Sequence, residues 1–145
     1  MTSRKKPTDW YKRFNSAKPP HVVTLESDYA GAKAGMTMLI SSPSEIASYV
    51  SRIPHGETAT IARLRTDLAR RANADAACPV STSIFLKVVA EVGLADMANG
   101  KSIADVVPFW RVIEPRSKLA AKLSCGRDGI EHLLSLDGYA VAPVG

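Results

Sequence analysis

The sequence predicts a mainly α-helical domain with a small amount of β structure, arranged as a winged helix-turn-helix. Three observations lead there. Amphipathic helical patterns over residues 60–72 and 80–92 stand on either side of a short turn at 73–77. The segments that follow, Val106-Val107 and Trp110 to Ile113, have an extended pattern split by Pro108. The 145 residues match one domain of about 100–150 residues. A chain of that length buries about two-thirds of its unfolded surface and needs no disulfide or metal.

The elements follow in order. Residues 1–20 read as a basic N-terminal arm that ends at Pro19-Pro20, and residues 21–145 as a single winged-helix domain. His21 to Leu25 and Met36 to Ile40 are strand candidates around a turn region holding Gly31 and Gly35. Ser42-Pro43-Ser44-Glu45 is a helix start, with Ser42 as cap, Pro43 at the first helical position and Glu45 completing a capping box. Ile46, Tyr49 and Val50 give that helix its apolar face, and Pro54 and Gly56 stop it. Thr60 caps the next helix, in which Ile61, Leu64 and Leu68 share one side. A third helix follows Pro79, with Ser81, Thr82 and Ser83 as caps and Gly93 near its end. Arg127 to Leu136 forms a last short helix before Gly138.

The formal net charge is +5, and it belongs to the arm. Arg4, Lys5, Lys6, Lys12, Arg13 and Lys18 face Asp9 alone, whereas residues 21–145 carry thirteen basic and thirteen acidic side chains. Such an arm either contacts phosphates without reading sequence or is a solubilising terminus. Trp10, Tyr11 and Phe14 either stack on bases or pin the arm to the body. No apolar run approaches the roughly 18 residues of a membrane span. The charged start has no signal-peptide pattern, and Cys78 and Cys125 form no CxxC. The expectation is a cytoplasmic protein with free thiols, without a membrane. His21, His55 and His132 are scattered, so neither metal nor other cofactor is expected.

In a helix-turn-helix the second helix enters the major groove and its N-terminal residues meet base edges. Here those residues are Ser81, Thr82 and Ser83, with Lys87 one turn on. Their hydroxyls serve either DNA contact or helix capping. Arg63, Arg65, Arg70 and Arg71 on the preceding helix, opposed only by Asp67, are the phosphate-contact candidates, or else a solvated face.

Three blocks carry a resemblance. Ile53-Pro54-His55-Gly56-Glu57, Pro108-Phe109-Trp110-Arg111-Val112-Ile113 and Leu133-Leu134-Ser135-Leu136-Asp137-Gly138 occur in this order. Over residues 44–138 the chain resembles the DNA-binding domain of the alkylguanine-DNA alkyltransferases. The second block is similar to their P-C-H-R-V active-site loop and the third to their closing L-L-x-x-E-G. The family transfers an alkyl group from guanine to a cysteine thiolate, activated through a histidine and a glutamate. At the matching positions this chain has Phe109, Trp110 and Asp137. Neither ring accepts an alkyl group, so the resemblance implies a relic active-site loop, Pro108, Phe109, Trp110, Arg111 and Val112 with Asp137, and no enzyme activity.

The family's base-flipping tyrosine matches Ile61, and its arginine falls near Thr82 or Ser83. Cysteine-free alkyltransferase-like relatives keep both residues, so this chain stands further from the enzyme than they do. Phe109 and Trp110 are expected to fill the old pocket. The leading expectation is a non-catalytic protein that binds double-stranded DNA, linked to repair or damage recognition. The alternative is a winged-helix module that binds a protein partner and no DNA. An active alkyltransferase using Cys78 or Cys125 ranks last.

Overall fold

Period-two stretches near the start become the sheet. In the computed structural model, which describes residues 7–138, His21–Thr24 (β1) and Thr37–Ile40 (β2) pair antiparallel with His21 opposite Ile40. A third, two-residue strand, Ala76–Ala77 (β3), pairs parallel to β2, giving the order β1-β2-β3. The sequence reading took these two alanines as turn, because so short a strand has no periodicity of its own. Successive residues of β2 point to opposite faces. Leu39 enters the main core, and Met38 a smaller cluster with Ala32 and Cys78.

Among the described residues six α-helices complete a mainly helical fold. Trp10–Ser16 forms α1, capped by the Asp9 carboxylate, which accepts from the Lys12 N–H at 3.0 Å. This part of the expected arm is therefore a helix, packed on the later helix α4. Arg4, Lys5 and Lys6 lie outside the described residues. Pro43–Val50 is α2 and Ile61–Arg71 is α3, each capped as its sequence predicts, by Ser42 and Thr60. Glu45 departs from a full capping box: its carboxylate accepts from Ser41 Oγ at 2.9 Å. Asn73 takes a left-handed conformation, φ 55°, to turn the chain from α3 into β3, as asparagine tolerates.

Pro79–Ala98 is α4, which continues past the expected end at Gly93. Gly93 is a packing residue: a Cβ there would lie 2.8 Å from the Phe109 ring. Nearly every side of α4 is apolar, and α2, α1 and the Phe109 turn pack against it. Lys118–Lys122 (α5), not foreseen, and Gly126–Leu136 (α6) close the chain.

The expected extended wing after α4 is absent. Ile103–Asp105 and Phe109–Arg111 are single 3₁₀ turns. In a strand, Phe109 and Trp110 would point to opposite faces. Both are instead 0–2% exposed in one core, edge to face at 5.2 Å, which the tighter turn permits. Ile46, Val50, Leu64, Leu68, Leu86 and Ile130 complete that core. No helix among the described residues is long and apolar enough to cross a membrane.

Candidate functional site

The three sequence blocks converge on one carboxylate. Asp137 ends α6, and its side chain is 4% exposed. Trp110 Nε1 donates to its Oδ2 at 2.8 Å. Arg111 Nε donates to the same oxygen at 2.7 Å and Arg111 Nη2 to Oδ1 at 3.0 Å. His55 Nε2 stands 3.5 Å from Oδ1. Arg111 also donates through Nη1 to the Ile53 carbonyl at 2.8 Å, and its own carbonyl accepts from the Ala59 N–H at 2.8 Å. The bidentate guanidinium first, then the indole N–H, holds the Asp137 carboxyl below the usual carboxylate range despite burial. Arg111 thus orders the loop rather than reaching outward. Gly56, at φ 86°, makes the turn that carries residues 53–60 past Asp137.

Phe109 is wholly inside, against Gly93 and Val106 of the core. No solvent reaches the Phe109 ring. Trp110 has its one donor satisfied by Asp137 and its faces in the core. Pro108 and Val112 are buried with them.

Beside this cluster lies an open cleft of about 1160 Å³. One wall is α3 with the end of α2, and the other is residues 112–117 with Glu131 and Leu134 of α6. Ile61 lines it. Of the four expected arginines of α3, Arg63 and Arg71 line the cleft. Arg63, Arg70 and Arg71 are exposed, and Arg65 is half-buried. Arg63 Nε pairs with Asp67 at 3.2 Å, as an i,i+4 neighbour.

Two participants were missed by sequence reasoning, the Tyr49 hydroxyl and Arg52. Tyr49 was assigned to the apolar face of α2, which its ring does join, but its hydroxyl donates to Asp67 at 2.6 Å. Burial, then this bond, pushes the Tyr49 phenol up to about 12. Arg71 lies 5.3 Å over the Tyr49 ring. Arg52 lines the cleft one turn beyond Tyr49. The signal available in the sequence was Asp67 as the lone acid among four arginines.

The expected reading face of α4 divides. Thr82 is 1% exposed and donates to the Cys78 carbonyl at 2.6 Å, so it is no DNA contact. It is not a cap either, since Cys78 holds that position. Ser81 and Ser83 are half-buried, with Ser81 Oγ 3.5 Å from the same carbonyl. Lys87 is half-buried, its ammonium 5.6 Å from the Trp10 ring of α1. The exposed side chains of the first α4 turns are Val80 and Ile84.

The thiols offer no relay. Cys78 is buried. Burial resists its ionisation, but hydrogen bonds from Ser81 and Tyr29 outweigh that and lower its pKa. Cys125 is half-buried, and burial together with Glu91 raises its thiol. No group of three or more potential metal ligands occurs among the described residues. No protein-family model matches the chain, and no curated protein or solved structure matches it.

Proposed function

We propose that the chain is a non-catalytic, duplex-DNA-binding protein related to the alkylguanine-DNA alkyltransferases and acting in repair or damage recognition. What carries the DNA-binding reading is the exposed arginine face of α3. Arg63 and Arg70 stand beside Asp67, the only acid of that helix, and Arg71 and Arg52 line the adjoining cleft. That surplus of guanidinium suits phosphates, which supply most of the affinity of such proteins.

The relation to alkyltransferases is supported by the meeting of Trp110 and Arg111 with Asp137, 27 and 26 residues further along the chain. In that reading Trp110 donates to the carboxylate where a histidine would relay a proton, and Phe109 closes the space of the nucleophile. The chemistry is gone while the scaffold of the loop is kept.

The test pairs two readouts on a duplex containing alkylguanine. Mobility shift should show a complex, and intact mass should show no added alkyl group on any residue. A stoichiometric adduct on Cys78 or Cys125 would overturn the non-catalytic reading.

Val80 and Ile84, exposed at 54% and 45% on α4, favour a second reading, a module that docks a protein partner. It predicts that Ile84→Ser removes partner binding and that no complex with DNA forms at any salt concentration.

A further inference from the structure

We propose that Arg52 and Arg71 form a phosphate seat on the α3 wall of the cleft, where one backbone phosphodiester of the bound strand is fixed. This rests on the DNA-binding reading above and names the contact that reading needs.

The seat follows from how the charges around Tyr49 are used. Asp67 Oδ2 accepts from the Tyr49 hydroxyl at 2.6 Å and faces Arg63 Nε at 3.2 Å. Arg70 adds to the positive field on the same carboxylate. The one acid on this wall is therefore committed. Arg71 makes no ion pair among the described residues; its guanidinium carbon lies over the Tyr49 ring, 5.3 Å from the centroid. Arg52 makes no ion pair among them either, and it is exposed.

Tyr49 itself is fixed, 8% exposed in the core and held by Asp67, so it is a rigid platform. A guanidinium resting on a ring keeps its N–H edge available, and that edge matches two oxygens of a phosphate. Glu57, Glu114 and Glu131, together with Arg116, line the rest of the cleft. The ligand chemistry is a phosphate oxyanion. A nucleic-acid backbone and a free phosphate or nucleotide share it, and the experiment separates them.

Duplex DNA affinity is measured against salt for the unaltered protein, Arg52→Gln, Arg71→Gln, the double variant, and Arg127→Gln on α6 outside the cleft. In parallel, sodium pyrophosphate is titrated while the Tyr49 ring resonances are followed. Each lost phosphate contact lowers the log–log slope by about 0.9, so the double variant, which loses the one seated phosphodiester, should lose about that much. The Arg127 variant should lose much less, at an unchanged melting temperature. Binding of DNA with the same slope in the double variant, or equal losses in the Arg127 variant, would overturn the seat and leave the DNA-binding reading standing. Absence of DNA binding, with a pyrophosphate shift lost in the double variant, would keep an anion seat for free phosphates and overturn DNA as its source. Absence of both responses would overturn seat and function together.

Discussion

Asp137 shows how far one residue reaches. It joins Trp110, Arg111 and His55 and, through Arg111, the Ile53 carbonyl. Asp137→Asn would leave the Arg111 guanidinium, 13% exposed, without its counter-charge. Breaking such a buried pair costs about 3–5 kcal/mol, read as a lower urea midpoint at neutral pH. The folded-state carboxyl titrates below its unfolded value, so its stabilisation is complete above the unfolded value of about 3.9. It fades as pH falls through the lower folded value. The loss of stability between pH 5 and 2 should accordingly be shallower in Asp137→Asn than in the unaltered chain. Trp110, Arg111 and Asp137 were legible as one site because ordered motif blocks carried them. Tyr49 and Asp67 were not: they sit on two helices, and no periodicity records that a hydroxyl and a carboxylate meet across them.

At the scale of elements, local chemistry was readable wherever a backbone group had to be satisfied. Ser42 and Thr60 cap α2 and α3 because each accepts from an N–H three residues on. Gly93 misled, since a glycine inside a helix looks like a stop until its neighbour, Phe109, is known. Gly93→Ala should destabilise the protein by about 1–3 kcal/mol through overpacking, seen as a lower melting temperature with no change at the cleft. The 109–111 turn was read as extended because pattern alone does not reveal that both rings enter one core. Phe109→Cys with Trp110→His should therefore cost about 3 kcal/mol of stability for each truncated ring, seen as a clearly lower melting temperature. Intact mass should still show no alkyl transfer. An unchanged melting temperature would mean that the rings are not core. Removal of residues 1–18 takes away α1 and with it Tyr11, whose hydroxyl donates to Asp96 on α4 at 2.6 Å. It also takes away six cations. Both thermal stability and the salt slope of DNA binding should fall.

Across the whole molecule, charge and apolarity are segregated in a way that composition does not show. Residues 21–145 balance in formal charge, yet Arg63 and Arg70 stand beside Asp67, and Arg52 and Arg71 line the neighbouring cleft. The mainly helical class, the strands β1 and β2 and the helices α2, α3 and α6 were legible from periodicity and caps. The extended wing was misread, because Pro108 and two buried rings override extended propensity. The base-reading role expected of Thr82 was misread for the same kind of reason: a hydroxyl near a helix start bonds whichever backbone carbonyl is closest, here that of Cys78. Most remaining contact candidates are cations suited to phosphates, so binding should be strongly salt-dependent and weak in sequence preference. Equilibrium affinity for two unrelated duplexes, measured from low to physiological salt, tests this most directly. The expected result is a steep linear fall of log affinity with log salt, nearly equal for both sequences. A flat salt dependence, or no complex even at the lowest salt, would rule out the DNA-binding function.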